Sequence, residues 1–134
     1  MLFRGEATGL GNRLMATLYS PLVLDHFQNP RNAGDLPLAT AQVEVSNPVC
    51  GDLLRLAVRI EAGQVAEARF KTRGCVASIA CSSWLTEWLR GKSPADFPAL
   101  SPQTVAHGLG GLAPASFHAA DLACDALRAL SEKL

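Results

Sequence analysis

LRLAVRIEAGQVAEARFKTRGC, residues 54–75, decides the fold. Leu54, Leu56, Val58 and Ile60 alternate with Arg55, Ala57 and Arg59, the period-two pattern of a strand with one buried face. Glu61-Ala62-Gly63-Gln64 follows as a turn in which Gly63 is free to adopt positive φ. The next run places Ala66, Ala68 and Phe70 on one face and Glu67, Arg69 and Lys71 on the other. Strands joined this tightly are antiparallel, with one wet face and one face for helices to cover. Gly74-Cys75 ends the second of them.

Upstream, Val43 and Val45 alternate with Gln42, Glu44 and Ser46, which predicts a third strand. Before it, YSPLVLDHFQN (19–29) reads as a short helix with Ser20 as N-cap and Pro21 at the first helical position. Leu22, Val23 and Phe27 lie at helical spacing along it. Pro30 and Gly34 stop that helix. Downstream, residues 76–90 form a helix closed by Gly91, and Ser93-Pro94 and Ser101-Pro102 each open a short one. GLGGLAP (108–114) is a Gly-rich loop, and residues 116–133 are a final helix with Leu122, Ala126, Leu127 and Leu130 as its apolar stripe. The fold class is α+β: a small three-stranded antiparallel sheet with helices packed on one face.

The chain has 134 residues, enough for one compact domain. We divide it into an N-terminal extension over 1–18 and a single domain over 19–134. At 49% hydrophobic and 18% charged, it can fill a core without disulfide staples. Twelve Lys plus Arg balance twelve Asp plus Glu, so nothing draws the chain to nucleic acid or to an anionic membrane. No apolar run approaches the roughly 20 residues of a membrane span. The first residues lack the apolar stretch of a secretory signal. The four cysteines, at 50, 75, 81 and 124, therefore read as reduced thiols of a cytoplasmic protein.

Three places set a thiol, carboxylate or imidazole beside turn-forming residues. In Pro48-Val49-Cys50-Gly51-Asp52, Gly51 lets the backbone bend so that Cys50 and Asp52 face one point. In Thr72-Arg73-Gly74-Cys75 the thiol stands where a helix begins, beside unpaired N–H groups and the positive end of the helix dipole. His118 opens the last helix, just after the Gly-rich loop. Two thiols, an imidazole and a carboxylate suit a tetrahedral iron or zinc site. Each residue also has a plain structural reading: a lone Cys as a small buried hydrophobe, a lone His as a cap, and Asp52 as a turn residue. Spacing alone leaves these alternatives open.

Several motifs together are more specific. YSPLVLDHFQNPRNAG (19–34), PVCGD (48–52), ARFKTRGCVASIACSS (68–83), TEWLRGKS (86–93) and LAPASFHAADLACDAL (112–127) resemble, in collinear order, the IscU/NifU-type iron–sulfur cluster scaffold family. The resemblance implies a non-enzymatic scaffold or carrier that transiently binds iron or a [2Fe–2S] cluster and passes it to acceptor proteins. It implies Cys50, Asp52, Cys75 and His118 as ligands of metal or cluster, and a cysteine desulfurase as sulfur-supplying partner. Cys75 is the candidate sulfur acceptor. The resemblance also admits a zinc-bound, SufU-like sulfur acceptor at the same residues, or a diverged regulator that no longer assembles clusters.

The chain departs from the family where His118-Ala119 stands in place of a His-Cys pair. It departs again where Leu112-Ala113-Pro114-Ala115-Ser116 replaces Leu-Pro-Pro-Val-Lys, which speaks against docking to a dedicated Hsp70-type chaperone. Cys124, five positions after Ala119, is turned about 140° and lies ~7.5 Å along the helix, and Cys81 lies about 240° and ~9 Å from Cys75. Both read as packing cysteines. Trp84 and Trp88 read as packing too. Arg55, Arg59, Arg69, Lys71 and Arg73 read as a solvated outer sheet face. His26 and His107 receive no role.

Overall fold

The computed structural model describes residues 18–48 and 51–134. The predicted extension, apart from Leu18, and the candidate ligand Cys50 lie outside the described residues. The order of elements is α1 (Pro21–Gln28), β1 (Ala41–Ser46), β2 (Leu53–Glu61), β3 (Gln64–Arg73), α2 (Val76–Leu89), a 3-10 turn (Pro94–Ala99), α3 (Pro102–Gly108), a second 3-10 turn (Pro114–Ser116) and α4 (Phe117–Lys133). The strands form one antiparallel sheet in the order β1-β2-β3. This is the predicted fold class. Among the described residues no helix is long and apolar enough to cross a membrane.

The β2–β3 hairpin turns through Ala62 and Gly63, at φ 53° and 78°, the paired left-handed residues of a turn that matches strand twist. Pairing runs Ala57 to Arg69, Val58 to Ala68 and Arg59 to Glu67, then skips to Ile60 with Val65. Ala66 is the extra residue of this bulge. The alternation that put Ala66 on the core face therefore fails there. Val65 is buried in its place and Ala66 is half-buried.

Leu54, Leu56 and Val58 of β2 and Ala41 and Val43 of β1 face inward on the side that α4 covers with Ala119, Ala120, Leu122, Ala123, Leu127 and Leu130, while β3 lies against α2. The central helix α2 buries Ala77, Ser78, Ala80, Cys81, Ser82, Ser83, Leu85, Thr86 and Leu89, a mostly small set that lets α1, β3, α3 and α4 all approach it. At Gly108 the approach leaves no room for a side chain: a Cβ there would lie 2.4 Å from the Trp84 ring. Cys81 and Cys124 are packed in this core, as their helix angles predict.

Ser20 caps α1, accepting from the Val23 N–H at 3.0 Å and donating to the carbonyl of Leu109. The helix does not bury Leu22, which is exposed; its inward residues are Val23 and His26. His26 Nδ1 lies 2.8 Å from Ser83 Oγ, which also accepts the Arg31 N–H at 2.8 Å. Asn32 and Gly34 then bond β3 at Phe70, covering the sheet edge. The outer face of the sheet is an ion-pair lattice. Arg55 meets Glu44 and Asp35, Lys71 meets Asp35, Arg59 meets Glu61 and Glu67, and Arg69 meets Glu67.

Candidate metal centre

Asp52 reaches the site through a closed turn. The Asn47 N–H donates to the Asp52 carbonyl at 2.8 Å, and the Gly51 N–H donates to the Asn47 carbonyl at 2.7 Å. Gly51 has φ 75°, the conformation its place between Cys50 and Asp52 called for. The register Ser46 to Leu53 fixes where β2 begins, one residue beyond the carboxylate. Asp52 is 5% exposed. A carboxylate buried this far must be held by polar partners.

Cys75 occupies the N-cap of α2, with extended backbone and no capping bond from its own side chain. Its thiol is exposed, open to a partner on one side and to the carboxylate on the other. His118 stands in the first turn of α4. Its Nδ1–H donates to the Ala115 carbonyl at 3.1 Å, an acceptor in the middle of the short 3-10 turn Pro114–Ser116. A carbonyl only accepts, so Nδ1 carries the proton and Nε2 is turned into the site.

The three ligand atoms of Asp52, Cys75 and His118 lie within 4.8 Å of one another. Cys75 Sγ is 3.8 Å from His118 Nε2 and 3.9 Å from Asp52 Oδ2. His118 Nε2 is 3.3 Å from Asp52 Oδ2. Three segments distant in sequence thus supply sulfur, nitrogen and oxygen to one point, the donor set that suits zinc or iron. Cys50 precedes Gly51-Asp52 in the chain and is the remaining sequence candidate. Among the described residues this is the one cluster of its kind.

Two residues of the site went unread in the sequence. Ser78 is 1% exposed and donates its Oγ–H to Asp52 Oδ2; its oxygen lies 3.3 Å from Cys75 Sγ. Its spacing from Cys75, one helical turn, was the available signal. Gly74, read only as a strand end, makes room: a Cβ there would lie 2.7 Å from Asp52 Oδ1 and 2.8 Å from its Cγ. That glycine is required by space.

Cys81 and Cys124 stay outside the centre. Burial pushes the Cys81 thiol up, and burial with Asp121 and Asp125 pushes that of Cys124 to about 11. Both stay protonated and inert at neutral pH.

Fold and cluster together define an α+β domain presenting a thiol, a carboxylate and an imidazole from three loops at the ends of its strands and helices. The chain belongs to the NifU-like N terminal domain family, whose model matches residues 18–133. The iron-sulfur cluster assembly scaffold protein IscU 1 of Archaeoglobus fulgidus is 42% identical to it over 111 residues, covering 83% of this chain and 72% of the relative. The scaffold protein IscU of Haemophilus influenzae is 40% identical over 115 residues, covering 83% of this chain and 90% of the relative. The fold is also that of the N-terminal NifU-like protein of Brucella abortus. That structure has a TM-score of 0.72 and 17% identity, and the match covers 90% of this chain and 96% of that one.

Proposed function

We propose that this chain is an iron–sulfur cluster assembly scaffold, a carrier whose cargo is held by Cys50, Asp52, Cys75 and His118 and then passed to acceptor proteins. The observation that carries the reading is the convergence of Asp52, Cys75 and His118 on one partly open point. Relatives about 40% identical over most of the chain, named as scaffold proteins, support it.

The residues divide the work by chemistry. Cys75 is exposed at a helix start and accepts sulfur from a cysteine desulfurase. Its thiolate attacks the terminal sulfur of the donor persulfide, the donor S–S bond breaks, and the donor cysteine leaves as thiolate. The persulfide proton stays on the transferred sulfur. His118 offers Nε2 as a nitrogen ligand, with its Nδ1–H held at Ala115. Asp52 offers a hard oxygen, a weaker partner for soft iron–sulfide than a third thiolate. Mixed ligation of this kind suits a cargo that must leave, with a [2Fe–2S] cluster as the form the four ligands fit.

The test is anaerobic reconstitution with iron, cysteine and a desulfurase. Visible charge-transfer bands should form, and Cys75→Ala and Cys50→Ala should each abolish them. Absence of bands in the parent protein overturns the reading.

A further inference from the structure

Ser78 is the third residue of α2, counting from the N-cap Cys75. A Glu or Gln at that position turns back to the N-cap backbone, and a buried helical serine commonly bonds a carbonyl of its own helix. Ser82 does the latter, donating to the Ser78 carbonyl at 2.7 Å while accepting from Thr72. Ser78 does neither. Its one proton goes across to Asp52 Oδ2, on another element. The direction is fixed, because a carboxylate can only accept.

The surroundings leave Asp52 little freedom. Gly74 closes the Oδ1 side, so near that a Cβ would collide. Ser78 holds Oδ2, the same oxygen that faces His118 Nε2 at 3.3 Å and Cys75 Sγ at 3.9 Å. The Ser78 hydroxyl is buried, and the Ser82–Thr72 chain anchors the turn that bears it. It is therefore a fixed donor aimed at the carboxylate on which the site depends.

We propose that Ser78 is a positioning residue of the metal centre: it sets the orientation of the Asp52 carboxylate, and through Asp52 the strength with which the site holds its cargo. This rests on the scaffold reading above. Outer-sphere partners of metal ligands act this way, and their loss typically costs about 10–100-fold in affinity.

The experiment is a cobalt(II) titration against a competing chelator, following the thiolate-to-cobalt band, on parent, Ser78→Ala, Ser78→Thr, Asp52→Ala and the Asp52→Ala/Ser78→Ala double variant. Alanine is the better helix former, so Ser78→Ala should keep its circular dichroism. Its affinity should fall by about 10–100-fold. Ser78→Thr, which keeps a hydroxyl, should recover most of it. In the Asp52→Ala background, loss of Ser78 should cost nothing more. Parent-like affinity in Ser78→Ala overturns the proposal, as does an equal loss with and without Asp52. A parent protein with no thiolate band, or one unchanged by Cys75→Ala, instead overturns the scaffold reading itself.

Discussion

Ala62 sits at φ 53° in the hairpin turn, where an L-residue with a Cβ is strained and Asn or Gly is preferred. Ala62→Asn should stabilise the protein by about 0.5–1 kcal/mol, read from urea denaturation. His26 makes a different prediction. Burial lowers its pKa from 6.5, and Arg31 lowers it further, against the raising effect of Glu87 and Asp25. The unfolded chain then binds the extra proton first. Stability is full above about pH 6.5 and is lost as pH falls from there toward the folded value. Denaturation midpoints measured between pH 7.5 and 5 should show this slope, and His26→Gln should flatten it. His26 was present in the sequence as a helical residue without a role. Its burial is settled by Ser83, 57 positions away, a pairing that periodicity in one helix does not encode.

Elements were legible where a local rule fixes them. Ser20-Pro21 marked the start of α1, and alternation marked β2. The same rule misplaced Ala66, because a bulge is an insertion in pairing and leaves hydrophobic alternation looking intact. The three-residue cluster was legible through its turn residues and through resemblance. Ser78 and Gly74 were not, since each acts on Asp52 across elements. The contact between α2 and α3 carries its own prediction. With 2.4 Å between a built Cβ and the Trp84 ring, Gly108→Ala should destabilise by about 1–3 kcal/mol through overpacking. Chemical denaturation followed by tryptophan fluorescence measures it.

At the scale of the whole molecule, three described cysteines fall into two classes. Cys75 is exposed, whereas Cys81 and Cys124 are buried, with the Cys124 thiol pushed up to about 11. Iodoacetamide on native protein at neutral pH should label Cys75 and spare the other two until the chain is unfolded, as peptide mass mapping would show. The fold thus keeps two of its sulfurs as packing and offers another at the loop cluster. How the sheet and helices carry three distant turns to one point is the central claim, and X-ray absorption on the zinc-loaded protein tests it most directly. The account predicts a shell of two sulfurs at about 2.3 Å and two nitrogen or oxygen atoms at about 2.0–2.2 Å, one sulfur being lost in Cys75→Ala. A shell of nitrogen and oxygen alone, or one that Cys75→Ala leaves unchanged, would contradict it.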